Sequence, residues 1–188
     1  LAEARQLRQA GLRLPILILG HVESGCAAVL MEQNITAACY SLPQAKALSE
    51  AASAAGGTVD VHLKADTGMG RIGFALRTDF DAALAGMLEV CRLPGLRVTG
   101  LFQHFAVADD DTADSVAYTS GQHALFVRAC QGLAAAGFEP AVVHCDNSAG
   151  VMLHPDWPAE LPRTHCMARP GIILYGFETN TDIGIQVL

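Results

Sequence analysis

The sequence predicts an α/β fold in which short parallel strands alternate with helices. Six short apolar runs recur along the chain, and alanine-rich stretches of helical composition separate them. A helix between successive strands favours parallel pairing with right-handed crossovers. Six such βα units in 188 residues amount to most of a (β/α)₈ barrel. We therefore predict a partial TIM barrel that lacks its first strands.

The predicted strands are apolar on both faces, as in residues 16–19, where four aliphatic residues follow one another. Strands of a parallel sheet are covered by helices on both sides, which explains runs without alternation. The six predicted strands span residues 15–19, 36–40, 59–65, 96–102, 141–144 and 164–169.

The predicted helices begin with an amphipathic segment at residues 1–8. Gly56 and Gly137 follow two later helical stretches directly, at positions where glycine commonly ends a helix. The segment 109–119 contains four aspartates and is predicted to be a solvated loop at the active face. The remaining predicted helices span residues 22–33, 43–55, 78–92, 117–136 and 146–153.

Composition excludes several classes of function. The chain is 51% apolar and 16% charged with a net charge of −7, so it has no basic stripe for nucleic acid. No apolar run is long enough to span a bilayer. Six irregularly spaced cysteines, without a secretory signal, favour reduced thiols in a cytoplasmic protein. The absence of an initiator methionine suggests an excised piece of a longer protein.

Two His-Cys dipeptides, at residues 144–145 and 165–166, raise the question of a zinc site. Neighbouring residues on a strand face opposite sides, so each pair offers one ligand rather than two. We therefore expect no metal site.

Polar residues gather at the predicted strand ends, where barrels of this type carry their chemistry. Lys64 ends the third strand, and Arg71 lies in the glycine-rich turn that follows it. His104 follows the fourth strand, His144 ends the fifth, and Arg169 ends the last. We expect these groups to share one face.

Two of these strand ends predict an anion site. Ser148 offers a hydroxyl group, and Gly171 and Ile172 offer backbone N–H groups after the last strand. Phosphate pockets of such barrels form near the final strands. A buried Arg169 needs an acceptor, because an unpaired guanidinium in a core is very costly.

Together these segments resemble the bacterial alanine racemases. That family has an amino-terminal (β/α)₈ barrel and a carboxy-terminal β-domain, and its members use pyridoxal 5'-phosphate. The similarity covers essentially the whole chain. It is carried by PILILG at 15–20, residues 41–47, HLKADTGMGRIGF at 62–74, GLFQHFA at 100–106, HCDNSA at 144–149 and RPGIILYG at 169–176.

The resemblance implies a set of cofactor-binding residues. Arg169 corresponds to the arginine that faces the pyridine nitrogen, and a guanidinium keeps its proton there. His104 and His144 correspond to histidines packed near the ring and that arginine. The cofactor phosphate is expected at Asn147, Ser148, Gly171 and Ile172, and the ring pocket is expected at Leu17 and Leu19.

The resemblance also assigns catalytic roles. Arg71 corresponds to the arginine near the phenolic oxygen of the cofactor and the substrate carboxylate. Lys64 corresponds to a lysine that in many members carries a carbamate, which holds Arg71 in place. With His104, these residues form the expected catalytic set.

Two catalytic groups of the family have no counterpart in this sequence. The Schiff-base lysine of the family lies in a lysine–aspartate/asparagine–alanine–tyrosine–glycine–histidine run, which does not occur here. The opposing tyrosine belongs to the β-domain of the partner subunit. We therefore expect residues 1–188 to be an internal barrel fragment without activity of its own, from a cytoplasmic homodimer.

The expected activity of the parent is interconversion of L-alanine and D-alanine through a pyridoxal-phosphate aldimine, for peptidoglycan precursor supply. Three alternatives remain open. The parent could be a serine or broad-specificity amino-acid racemase on the same scaffold. The chain could be a non-catalytic barrel that binds a phosphorylated ligand. A metal-dependent hydrolase using His62, His104 and His144 is the least favoured, because no carboxylate accompanies them at ligand spacing.

Overall fold

The computed structural model describes residues 1–161 and 165–176 and confirms the predicted fold class. Six strands form a parallel sheet in the order β1-β2-β3-β5-β6-β7, which curves as half of a barrel. A further short strand, β4, pairs with β3 off this path. The strands are β1 Ile16–Ile18, β2 Ile35–Cys39, β3 Val59–Asp66, β4 Phe74–Ala75, β5 Leu96–Phe102, β6 Val142–His144 and β7 His165–Cys166.

Helices connect the strands, as the predicted alternation requires. Polar side chains begin four of them: Ser41, Asp79, Thr112 and Asn147 each accept a hydrogen bond from a backbone N–H in the first turn. The helices are α1 Ala2–Gln9, α2 Ala27–Glu32, α3 Leu42–Ala54, α4 Phe80–Val90, α5 Ala113–Ala135 and α6 Ser148–Leu153.

The hydrophobic core lies between the sheet and the helices that cover its outer face. Leu63 of β3 and Leu101 of β5 are fully buried, and so are Leu48 of α3 and Phe126 of α5. The longest pairing joins β3 and β5, with a register irregularity between Val61 and His62. This central pair carries the residues that reach the cleft described below.

Two predicted boundaries differ from the structure. The segment 109–119 is not all loop, because α5 begins at Ala113. Thr112 accepts from the backbone N–H of Ser115, and the Asp110 carboxylate accepts from the Thr112 N–H and the Ser115 hydroxyl. The predicted helix at 22–33 is divided into a 3₁₀ turn at Ser24–Cys26 and the short helix α2.

The last strand is shorter than the predicted 164–169. Thr164 lies outside the described residues, and regular pairing ends at Cys166. The backbone of Arg169 then donates from its N–H to the carbonyl of Asp146, at 2.9 Å. This contact holds the chain against the end of β6 and directs Arg169 toward the strand ends.

In the part of the chain that the structure describes, no helix is long and apolar enough to cross a membrane.

Leu101 tests the packing of the central strands. Leu101→Ala should lower the free energy of unfolding by about 3 kcal/mol, because truncation of a fully buried leucine leaves a cavity. Urea unfolding followed by the fluorescence of Trp157 measures this change. Leu14→Ala is the matched control, because Leu14 is 67% exposed and its loss should cost less than about 0.5 kcal/mol. Equal effects of the two substitutions would contradict the assigned core.

Candidate active site

Arg169 is the most extensively hydrogen-bonded side chain at the strand ends. Its Nη2 donates to the carbonyl oxygens of Gln103, at 2.6 Å, and Cys145, at 3.3 Å. Its Nη1 donates to the carbonyl oxygen of His144 at 3.0 Å and lies 2.6 Å from His144 Nδ1. The half-buried guanidinium therefore has the acceptors that the sequence predicts, and they are neutral carbonyls and the ring nitrogens of His144 and, at 3.4 Å, His104.

His144 lies behind Arg169 in the interior of the half-barrel. Its Nε2 is 2.9 Å from Nδ1 of His62, and its ring stacks on Phe102 with centroids 4.8 Å apart. Burial, reinforced by the charge of Arg169, lowers the pKa of His144 to about 2. Burial likewise lowers the pKa of His62 to about 4. Both rings are therefore neutral at physiological pH.

Lys64 is buried beside the same cluster. Its Nζ lies 4.8 Å from the centroid of the Phe102 ring, and only 6% of the residue is exposed. Burial is the largest cause that lowers its pKa to about 8, and the charges of Arg169 and Arg71 lower it further. A share of this amine is therefore neutral, and hence nucleophilic, near pH 7.

Arg71 is exposed at the tip of the loop between β3 and β4, and the loop itself is tightly held. The Asp66 carboxylate accepts hydrogen bonds from the backbone N–H groups of Gly68 and Gly70. Tyr118 of α5 donates its hydroxyl to the Gly68 carbonyl at 2.7 Å. Gly73 has a φ of 140°, and a Cβ there would lie 2.7 Å from the backbone nitrogen of Asp66.

A fully buried glutamine joins this loop to the one after β5. Gln122 of α5 donates through Nε2 to the Thr67 hydroxyl at 3.1 Å and to the His104 carbonyl at 3.2 Å. Its Oε1 accepts from the Ala106 N–H at 2.9 Å. Thr67 in turn donates to Gln103 Oε1, so the loops are fixed relative to one another.

A direct hydrogen bond joins the two segments of the predicted anion site. The backbone N–H of Gly171 donates to the Ser148 hydroxyl oxygen at 2.9 Å, which joins the segment after β7 to the start of α6. Asn147 caps α6 by accepting from the Gly150 N–H at 3.0 Å. Ile172 begins the 3₁₀ turn Ile172–Tyr175 at the same edge.

These groups line one continuous cleft in two parts. The outer part has a volume of about 320 Å³ and contains Asn147, Ser148 and Ile172 in its lining. The inner part has a volume of about 680 Å³ and contains Lys64 and Leu19. The two parts share Arg71, His104, Arg169 and Gly171 in their lining.

The structure thus brings most of the predicted site residues together at the cleft. His144 is the exception among the predicted cofactor-binding residues, because it is fully buried and contacts Arg169 instead of lining the cleft. Leu17 is half-buried in β1 and does not belong to the cleft lining, whereas Leu19 does.

Three polar residues of the site were missed in the sequence, namely Thr67, Gln103 and Gln122, and His62 was considered only as a ligand in the least favoured alternative, a metal-dependent hydrolase. His62 and Gln103 sit inside the motifs that carried the resemblance, next to residues that were selected. Gln122 lies in mid-helix, where nothing local distinguishes a buried glutamine from a solvated one. Its role depends on contacts with residues up to 55 positions away.

The electrostatics of the cleft favour an anionic ligand. Lys64, Arg71 and Arg169 supply positive charge. Burial is the largest cause that lowers the pKa of His104 to about 4, and these three charges lower it further. His104 is therefore a neutral ring at the cleft wall. Among residues 1–161 and 165–176, no group of three or more histidine, cysteine, aspartate or glutamate side chains could hold a metal ion.

Sequence comparisons agree on a single family. The model of the alanine racemase N-terminal domain matches residues 1–179. The alanine racemase of Desulfovibrio desulfuricans is 42% identical over 188 residues, which is 100% of this chain and 47% of that protein. The alanine racemase of Desulforamulus reducens is 39% identical over 184 residues, covering 97% of this chain and 46% of that protein.

Solved structures give the same result. The alanine racemase from Clostridium difficile 630, in complex with cycloserine, matches with a TM-score of 0.80 and 33% identity, over 94% of this chain and 45% of that one. The histidine racemase from Leuconostoc mesenteroides matches with a TM-score of 0.80 and 29% identity, over 100% of this chain and 48% of that one.

The fold therefore belongs to the parallel (β/α)-barrel class, with a cleft at the carboxyl ends of its strands. Within that class, the chain belongs to the alanine racemase family and corresponds to its N-terminal domain. It spans about half the length of the relatives that it matches.

The three neutral histidines predict a pH dependence of stability. Their pKa values are lowered in the folded state to about 4 for His62 and His104 and about 2 for His144, against about 6.5 in an unfolded chain. Between pH 6.5 and 5 the unfolded chain binds more protons, so stability falls as pH falls. Each histidine should contribute up to about 1.4 kcal/mol per pH unit, measured by urea unfolding at each pH.

His62→Gln should reduce that slope by the contribution of one histidine, because glutamine does not titrate and keeps an acceptor for His144 Nε2. Constant unfolding free energy between pH 5 and 6.5 would show instead that these rings are already protonated in the folded state.

Proposed function

We propose that this chain is the barrel part of a pyridoxal-phosphate-dependent alanine racemase, which interconverts L-alanine and D-alanine and supplies D-alanine for peptidoglycan precursors. The proposal extends the family assignment to the activity of the whole protein. The observation that carries it is the convergence of Arg169, Arg71, Ser148 and Gly171 on one cleft.

The residues of the cleft fit the cofactor. The Gly171 N–H donates to the Ser148 oxygen at 2.9 Å, so the Ser148 O–H and the backbone N–H of Ile172 would be the donors to the phosphate group, beside Asn147. Arg169 would face the ring nitrogen. Because a guanidinium can only donate, it would hold that nitrogen as an unprotonated acceptor.

The cofactor, when bound, supplies an electron-withdrawing ring that stabilises negative charge at the substrate α-carbon. The remaining work falls to side chains of the protein. Arg71 would bind the substrate carboxylate and the phenolic oxygen of the cofactor, and the loop contacts of Asp66 keep its backbone fixed. His104 would pack near the ring as a neutral side chain, because burial and then the neighbouring cations lower its pKa to about 4.

Lys64 would complete the arrangement as a carbamate. The neutral amine attacks the carbon of CO₂, an N–C bond forms, and one proton is released to solvent. The resulting anion would pair with Arg71 and remove the repulsion that the positive charges of Arg169 and Arg71 exert on a protonated Lys64. The lowered pKa of Lys64, about 8, supports this reaction by leaving part of the amine unprotonated.

The two bases that racemisation needs lie outside these 188 residues in this proposal. The sequence contains no run that matches the Schiff-base lysine motif, and the opposing tyrosine would come from the β-domain of a second subunit. The whole protein would thus be a cytoplasmic homodimer, and the isolated chain would not racemise alanine.

A racemase of different or broader specificity is the second candidate. The match to the histidine racemase from Leuconostoc mesenteroides, over 100% of this chain, shows that this barrel also occurs in a racemase named for another amino acid. A serine-directed or broad enzyme would use the same cofactor cleft. A barrel that only binds a phosphorylated ligand would need the cleft without either base.

Racemisation assays distinguish these functions. The full-length gene product, incubated with L-alanine and pyridoxal phosphate, should form D-alanine, measured by chiral chromatography. Parallel reactions with L-serine and L-histidine should be slower. Comparable rates would favour the broad-specificity enzyme, and no racemisation of any amino acid despite bound cofactor would favour the binding barrel. The 188-residue chain alone should give no D-alanine.

Ser148 tests the phosphate position. Ser148→Ala in the full-length gene product should weaken pyridoxal-phosphate binding about tenfold, because one hydroxyl contact to a charged group is lost. Cofactor titration followed by absorbance measures the change. Ser120→Ala is the matched control, since Ser120 is exposed on α5 and outside the cleft. Equal affinities of the Ser148 and Ser120 variants would contradict the assigned phosphate position.

A further inference from the structure

His62 is a buried side chain to which the proposed function gives no role. It lies on β3, opposite Gly100 of β5 in the sheet register, and 8% of the residue is exposed. On the other side of β5, Phe102 is paired with His144 of β6 in the sheet register. β3 and β6 pair with opposite edges of β5, and the rings of His62 and His144 meet across it with centroids 5.1 Å apart.

The ring of His62 is tightly packed against the backbone of Gly100. A Cβ built on Gly100 would lie 2.5 Å from three atoms of the His62 ring, which is far closer than real Cβ contacts. On the other side, the ring of Phe102 lies parallel to that of His144, with an interplanar angle of 2°. Both imidazoles are thus restricted in position, and their nitrogen atoms have defined partners.

Donor and acceptor roles follow from Arg169, because a guanidinium can only donate. Arg169 Nη1 lies 2.6 Å from Nδ1 of His144, so that nitrogen must carry a lone pair and no proton. A neutral imidazole carries its single proton on one nitrogen. The proton of His144 is therefore on Nε2, which faces Nδ1 of His62 at 2.9 Å.

His62 Nδ1 must accept the hydrogen bond from the Nε2–H group of His144. Nδ1 of His62 is therefore unprotonated, and the proton of the His62 ring is on Nε2. The hydrogen bonds run in one direction, from Arg169 to His144 to His62. The opposite tautomer of His144 would aim an N–H group at the guanidinium. Burial opposes protonation of either ring: it outweighs the charge of Asp60 in lowering the pKa of His62, and the charges of Arg169 and Lys64 reinforce it at His144.

We propose that His62 is a positioning residue. By accepting from His144 Nε2, it stabilises, together with Arg169, the His144 tautomer that accepts from Arg169, and it thereby helps to hold the guanidinium at the cleft wall. The consequence for cofactor binding rests on the proposed function, whereas the tautomer of His144 does not depend on it.

Substitution of His62 separates this role from simple packing. His62→Gln keeps an acceptor oxygen near His144 Nε2, and His62→Leu has similar volume but no acceptor. The experiment uses the full-length gene product labelled with ¹⁵N-histidine, and long-range ¹H–¹⁵N spectra report which nitrogen of His144 carries the proton. The His144 resonances are assigned by their loss in His144→Gln.

We expect His144 in the wild type and in His62→Gln to be protonated on Nε2 alone. In His62→Leu we expect a mixture of the two tautomers, together with cofactor affinity about tenfold weaker than that of His62→Gln. Circular dichroism checks that each variant is folded. If His62→Leu does not fold, a wild-type His144 that is protonated on Nδ1 would still overturn the inference.

Three results would overturn the inference: a wild-type His144 protonated on Nδ1, a wild-type His144 protonated on both nitrogens, or a folded His62→Leu variant with an unchanged tautomer. If the tautomer depends on His62 as expected but no variant racemises an amino acid, the inference stands and the proposed function fails.

Discussion

The half-buried guanidinium of Arg169 is the constraint on which the rest of the site depends. A guanidinium that is removed from water needs hydrogen-bond acceptors for its N–H groups. In this fold the acceptors are carbonyl oxygens at the ends of two strands and not a carboxylate. Because Arg169 itself follows β7, these bonds join the carboxyl ends of β5, β6 and β7. Neutral acceptors leave the positive charge uncancelled, so it remains available to a ligand in the cleft.

That uncancelled charge determines the chemistry of its neighbours. It acts with burial to keep His104 and His144 neutral, and it lowers the pKa of Lys64. The cleft therefore combines fixed cations with neutral rings, an arrangement suited to an anionic, planar ligand. Gln122 holds the walls of the same cleft in place. Its buried amide hydrogen-bonds to Thr67, in the loop that leads to Arg71, and to the loop that contains His104. Electrostatics and positioning thus come from separate parts of the structure, one from the strand ends and one from α5.

The sequence sufficed for the features that depend on local pattern and failed for those that depend on distant contacts. Unbroken apolar runs predicted the parallel strands, and the polar residues that end them were correctly expected to share a face. The need of Arg169 for acceptors was also predicted. Which atoms would accept was not predicted, because every residue has a backbone carbonyl and the sequence does not show which of them lie near the guanidinium. For a related reason Gln122 was missed and His62 was considered only as a metal ligand: each contacts a residue 55 or more positions away. The start of α5 was misplaced because an aspartate-rich segment suits a solvated loop and a capped helix start equally well.

We infer that Arg169, held by hydrogen bonds through both Nη atoms, would present its guanidinium to the ring nitrogen of a cofactor bound in the cleft. The ¹⁵N resonance of the ring nitrogen in labelled pyridoxal phosphate, bound to the full-length gene product, tests it most directly. A guanidinium that only donates should leave that nitrogen unprotonated from pH 6 to pH 9, with a chemical shift that does not titrate. A protonated ring nitrogen, or one that titrates as it does in free solution, would show that Arg169 does not face the ring and would contradict this account.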